Sequence, residues 1–365
     1  MTTVISGCGV VSPAGTGLTA LADLIASGEP GHAVPFAPDA GQLPDVAIRT
    51  VGDLRVADHV GRKGTRRLDR MVGFGLVAAR LAADAAPGGV GADQVGVVVG
   101  TSTGSVRSIV ELSAAAGGEA AYVPSRFPNA VMNSCAGQIA VRNGYRAVNA
   151  TLATGHASSP AALRWGLNAL RTGQADRVLA GGVEELSPHL LWGWRASGTL
   201  EPGAVLGEGC ALLVLERHPD GESGGSGTVL AEVTAAEVGF APSVRTSSTI
   251  GLTDALSRCA ERALRGIDPM RVGLVSLGAG SQLGTRSAEL EAVRRVLGEA
   301  SSPQLIRVSD VIGDCYSASG AMQVAAVLAI WGRVGEASLP VAPFALVTSV
   351  GLDGNVGAVL LRRPA

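Results

Sequence analysis

The sequence predicts an α/β fold with mixed or parallel sheets, built from two related βα halves. Three observations predict it. Short apolar runs alternate with Ala- and Leu-rich amphipathic stretches along the whole chain. Val95-Gly-Val-Val-Val-Gly-Thr-Ser-Thr-Gly-Ser105 is echoed by Val272-Gly-Leu-Val-Ser-Leu-Gly-Ala-Gly-Ser281, and each follows a helical stretch rich in Ala, Leu and Arg. Between them, Pro219-Asp-Gly-Glu-Ser-Gly-Gly-Ser-Gly227 has the composition of a linker. The halves are therefore 1–218 and 228–365, with repeats starting near Thr3 and Thr228. Two such halves facing each other would place a site where their helix N-termini converge.

The elements follow in order. Val4-Ile-Ser-Gly-Cys-Gly-Val-Val is a buried-strand run ending at Ser12-Pro13, and a helix follows near Gly17–Ser27. Residues 28–60 are rich in Pro, Gly and Asp and read as an irregular excursion. A helix opens at Arg66-Arg-Leu-Asp-Arg-Met71 and continues through Val77–Asp84. The strand at Val95 turns at Thr101–Ser105 into a helix from about Val106. Residues 117–136, with Pro124 and Pro128, read as irregular. Ala147-Val-Asn-Ala-Thr-Leu is a short strand, Gly155 a tight turn, and a helix starts at Ala157 or Ser158. A further apolar strand covers Arg177–Gly182.

Composition narrows the function classes. At 365 residues the chain can bury a large core. Hydrophobic residues make up 47% and charged residues 16%, an apolar balance that hints at a buried subunit interface. The net charge of −2 does not suit a nucleic-acid partner, and 3% aromatics are too few for base stacking. The start has no basic region or cleavage pattern, and no apolar run reaches a membrane-spanning length, so a cytoplasmic protein is expected. The five cysteines form no CxxC pair, which suggests neither a zinc site nor a disulfide framework. Gly278-Ala-Gly-Ser-Gln-Leu-Gly284 lacks GxGxxG spacing, and no GxSxG, HExxH or P-loop occurs, so neither a cofactor nor a metal is expected.

The strand, turn and helix around His156 form a frame in which α/β enzymes present a nucleophile. This layout and its motifs resemble the β-ketoacyl synthase family of the thiolase fold. Val4–Pro13 looks like that family's opening strand, and Arg67-Leu-Asp-Arg-Met71 like its basic motif. Gly207-Glu-Gly-Cys-Ala-Leu-Leu-Val-Leu-Glu216 is similar to its GEG strand, and Gly354-Asn355 falls in its C-terminal Gly-rich turn. The resemblance implies two pseudo-repeated halves in a layered α-β-α-β-α arrangement.

The family's chemical positions are changed here. His156 stands where a condensing synthase has its nucleophilic Cys. Gly278 stands for the first His, Ser309 and Asp314 for the Lys and second His of the KSxxGH segment, and Gly351 for the gating Phe. Condensation needs a thiolate to carry the acyl chain and donors for the oxyanion formed as malonyl loses carbon dioxide. An imidazole holds no stable thioester and Gly278 has no donor side chain, so both steps should fail. The chain-length factors of type II polyketide synthases have lost their nucleophile in this way. They pair with an active ketosynthase and help shape its acyl tunnel. Gly137-Gln-Ile-Ala-Val-Arg-Asn-Gly144 and Leu191-Trp-Gly-Trp194 resemble segments of that branch, though its elbow commonly carries Gln.

The resemblance therefore implies a catalytically silent subunit in a heterodimer with a ketosynthase, meeting an acyl carrier protein through that complex, in polyketide biosynthesis, polyenes included. It also implies that Thr103, Val106, Ile109 and Ser113 reach the interface and the end of the tunnel; Val106, Ile109 and Ser113 are spaced i, i+3, i+7 on one helix face, which ordinary core packing explains equally well. The other reading of the elbow is a stand-alone homodimer in which His156 and Asp314 act as a general base for hydrolysis, cyclisation or acyl transfer. Cys135 and Cys315 lie near the motifs but on no elbow, as inert core thiols do. Arg62-Lys63, Arg66-Arg67 and Arg70 form a basic cluster, either a solvated helix face or a dock for an acidic carrier protein.

Overall fold

The computed structural model describes residues 2–30, 46–66, 68–118, 121, 123–218, 229–242, 249–333 and 343–364. The linker expected at 219–227, and Arg67 of the basic cluster, lie outside these residues.

Five strands of the first half are β1 (Thr2–Ser12), β2 (Val95–Gly100), β3 (Asn149–Leu152), β4 (Arg177–Glu184) and β5 (Gly209–His218). Those of the second are β6 (Ala231–Phe240), β7 (Val272–Ser276), β8 (Gln304–Ile306), β9 (Phe344–Val350) and β10 (Asn355–Arg362). They run in the order β8-β7-β9-β10-β6-β1-β5-β4-β2-β3. Read outward from the centre, the halves repeat one plan: first strand, last strand, penultimate strand, then the two that remain. The pairing repeats as well, with antiparallel neighbours inside and parallel ones outside. β1 and β6 join the halves by pairing Val4 with Glu232 and Ile5 with Ala231.

The longer helices are α1 (Gly17–Ser27), α2 (Arg70–Ala85), α3 (Val106–Ala116), α4 (Ser134–Asn143), α5 (Ser158–Arg171), α6 (Pro188–Ala196), α7 (Ile250–Ala263), α8 (Thr285–Leu297) and α9 (Ser319–Gly332). α2 and α4 cover the first half, α7 and α8 the second, and α5 and α9 lie between them, touching strands of both. α9 is buried from Ser319 through Ala329, because its Ala, Val and Met side chains have apolar neighbours all round. One core cluster runs from Ile5 and Leu213 of the first half through α5 and α9 to Ala345 and Leu361 of the second. α2 lies directly on β1: a Cβ at Gly9 would sit 1.9 Å from the carbonyl oxygen of Ala78, which explains the Gly-Cys-Gly spacing.

Two stretches read as irregular carry structure. The excursion at 28–60 contains the strand Ala47–Arg49, which pairs in parallel with Val205–Gly207, and the short helix Val56–Val60. Within 117–136, Pro124–Asn129 forms a 3-10 turn and α4 begins at Ser134. Pro and Gly obscured both, since elements this short have too few residues to show a period. Among the described residues no helix is long and apolar enough to cross a membrane.

Candidate functional site

β3 ends in a 3-10 turn, Gly155–Ala157, that leads into α5. Gly155 has φ +56, and a Cβ there would strike the carboxylate of Asp353, so the turn requires glycine. Ser158 ties the turn together: its Oγ donates to the Gly155 carbonyl at 2.7 Å and accepts from the Thr154 N–H at 2.9 Å. The second half repeats the device, with the turn Tyr316–Ala318 leading into α9. Tyr316 takes the place of Gly155 and, at φ 48, is the one non-glycine described residue in the left-handed region.

The two turns meet at His156. Its Nε2 lies 3.0 Å from Oδ2 and 3.2 Å from Oδ1 of Asp314, and the imidazole is 2% exposed. Asp314 also accepts from the Ser281 N–H and Oγ, the Tyr316 N–H and the Ser319 Oγ. Burial by itself would lower the His156 pKa. The charge and hydrogen bond of Asp314, helped by Asp353 and Glu289, outweigh burial and raise it above the ordinary value. Burial pushes the Asp314 carboxyl upward, but His156, Ser281 and Tyr316 together hold it well below the usual carboxylate range. The Tyr316 ring stands edge-on to the imidazole at 4.7 Å and meets Trp194 of α6 at 4.9 Å. His156 Nδ1 is buried and has no hydrogen-bond partner among the described residues.

Gly278 lies across the seam, on the turn after β7. A Cβ there would fall 2.1 Å from the Thr348 carbonyl oxygen, so this backbone has no place for a histidine side chain. Buried Glu289 of α8 holds the turn, accepting from the N–H groups of Gly278 and Ala279 and from Thr348 Oγ1. Ser309, expected at the lysine position, has a buried Oγ with no partner among the described residues. The cation opposite Glu289 is Arg307, two residues earlier, at 3.2 Å. Gly351 is closed too: a Cβ would lie 3.0 Å from His156 Nδ1 and 2.8 Å from Asp353 Oδ1. The structure thus gathers His156, Asp314 and Gly351 around one point, while Gly278 meets Thr348 and Glu289, and Ser309 lines a neighbouring cleft.

The remaining candidates divide. Val106 is half-buried, while Ile109, 38% exposed, and Ser113 face outward, so this side of α3 is not core packing. Thr103 points elsewhere: its Oγ1 donates to Glu184 at 2.9 Å. Burial pushes the Cys135 thiol up to about 12 and the Cys315 thiol well above its usual value, so neither serves as a thiolate at neutral pH. Arg70 is not a free member of the basic cluster; it pairs with Glu208 of the GEG segment at 2.5 Å. Among the described residues no group of His, Cys, Asp and Glu is placed to hold a metal ion.

Sequence reading missed Glu184, Glu289 and Tyr316. Burial pushes Glu184 up to about 7, against hydrogen bonds from Thr101 and Thr103. The available signal for Glu184 was an acid closing an apolar strand, and for Glu289 an acid flanked by Ala288 and Leu290 on a helix. Nothing local marked Tyr316.

A duplicated α/β unit in five layers, with two elbows meeting at the seam, defines the thiolase fold. A family model for the beta-ketoacyl synthase N-terminal domain matches residues 2–221. The chain belongs to the β-ketoacyl synthase family. It is 27% identical over 361 residues to the chloroplastic 3-oxoacyl-(acyl-carrier-protein) synthase I of Arabidopsis thaliana, covering 89% of this chain and 74% of that one. Among solved structures, the ishigamide ketosynthase/chain length factor superposes with a TM-score of 0.83 at 28% identity, over 100% of both chains. A beta-ketoacyl synthase from Burkholderia phymatum does so with a TM-score of 0.86 at 20% identity, again over 100% of both, a likeness of fold.

Proposed function

We propose that this chain is a catalytically silent subunit of the chain-length-factor kind. It pairs with an active ketosynthase in the cytoplasm, stabilises it, and walls off the acyl tunnel of a type II polyketide synthase. Carrier protein meets the complex through the active partner. The observation that carries this reading is the sealed elbow. The nucleophile position holds an imidazole locked onto Asp314 and covered by Tyr316, and the flanking turn at Gly278 leaves no room for the missing histidine. The likeness to the ishigamide ketosynthase/chain length factor supports the branch, and the outward Val106–Ile109 face of α3 supports an interface there.

The formed His156–Asp314 pair is what favours the rival reading, a stand-alone acyl-processing homodimer. Expression alone and with a candidate ketosynthase separates the two. Insolubility alone and rescue on co-expression is the expected result. A stable homodimer that turns over acyl thioesters and loses that activity in His156→Ala would overturn the proposal. Within the complex, Val106→Trp or Ile109→Phe should shorten the product, and unchanged length would remove α3 from the tunnel.

A further inference from the structure

Behind the turn that carries Gly278 lies a cleft of about 470 Å³, a size that suits a small organic ligand. Gly280 separates it from the site above: a Cβ there would touch Asp314, while the other side of this turn lines the cleft. Arg49 forms part of its wall. This arginine is 7% exposed, and its Nη1 donates to the backbone carbonyl of Asp310 at 2.8 Å. Among the described residues no carboxylate pairs with its guanidinium, and its buried Nε has no partner. Burial lowers its pKa, and the nearby charge of Asp310 offsets this only in part.

A buried guanidinium without a counter-ion is costly, and the cost is relieved when an anion is supplied. The other charges of the wall are already engaged. Arg286 pairs with Asp310 at 3.1 Å, and Glu201 accepts from the Gly284 N–H at the start of α8. The wall's two cations and two anions balance, but Arg49 is the cation that no described carboxylate pairs with. The planar fork of Arg49 matches a carboxylate, whereas Glu201 and Asp310 would repel a dianion. Ser309 Oγ is a further unpartnered polar atom on this wall. Pro202, Ala204 and Val205 give the cleft an apolar side.

We propose that this cleft binds a short aliphatic carboxylate, its head on Arg49 and its tail against Pro202–Val205. The inference does not depend on the partner reading above. Calorimetric titration of butanoate into the purified full chain, with its ketosynthase if the two copurify, tests it. One saturable site per chain is expected, weakened at least about tenfold in Arg49→Gln. Ala204→Trp, which fills the apolar side without touching the guanidinium, should abolish binding, and Arg62→Gln on the exposed surface should leave it unchanged. Butylamine, with the same tail and no carboxylate, should not bind, which keeps the test open if Arg49→Gln fails to fold. No saturable binding by the native chain, equal affinity in a folded Arg49→Gln, or preference for inorganic phosphate would each overturn the proposal.

Discussion

His156 and Asp314 hold each other across the seam between the halves, and the pairing gives the protein a pH signature. The raised His156 pKa means that the protonated imidazole is favoured by folding. Its contribution is complete below the unfolded value of about 6.5 and is lost as pH rises through the folded value. The depressed Asp314 contributes above about pH 4, and that is lost as pH falls through its folded value. The pair therefore stabilises most between about pH 4 and 6.5. Replacing His156 by Gln should cost about 3–5 kcal/mol in that window, because a buried carboxylate loses its counter-ion. The melting-temperature gap between native and His156→Gln should narrow toward pH 9; a gap independent of pH would show that the pair is neutral. Asp314→Ala should cost more than His156→Ala, since it strips the acceptor from Ser281, Tyr316 and Ser319 as well.

Among the elements, the turn after β7 stands where the resemblance places the first histidine of a synthase. It sits against β9 so closely that Gly278→Ala should destabilise by roughly 2–4 kcal/mol in a denaturant titration, an overpacking cost against backbone that cannot swing aside. A cost under about 0.5 kcal/mol would mean the turn can still open. On α3, by contrast, Ile109→Phe should leave the chain's own stability within about 0.5 kcal/mol, because its site is outward-facing. The strands, the elbow and α5 were legible in the sequence, because apolar runs bounded by glycine announce themselves locally. Illegible were contacts made between the halves. No local pattern shows that Tyr316 covers His156, that Glu289 ties Gly278, or that Arg307 supplies the cation where Ser309 stands.

At the scale of the whole molecule, the boundary near 218–228 divides a duplicated plan. We propose that it does not divide two folding units. α9 belongs to the second half in sequence, yet it packs on β1, β4 and β5 of the first, and the core cluster is continuous through it. A fragment of residues 1–218 would expose that apolar face. Expressed alone, it should show no cooperative thermal transition, whereas the full chain should melt as a unit. A sharp transition in the fragment would establish two autonomous domains.

Tyr316 carries a consequence for reactivity. Its ring is the lid on the imidazole, and its backbone adopts a conformation that glycine takes without strain. Tyr316→Gly should therefore keep the second elbow while uncovering the first. An acylating reagent such as diethyl pyrocarbonate, which should spare His156 in the native chain, would then modify it, as peptide mass mapping can read at that residue. An imidazole that stays unmodified would place the seal in Trp194 and Asp353 instead. The elbow would in that case be guarded twice over, and a single replacement would not make it a reactive centre.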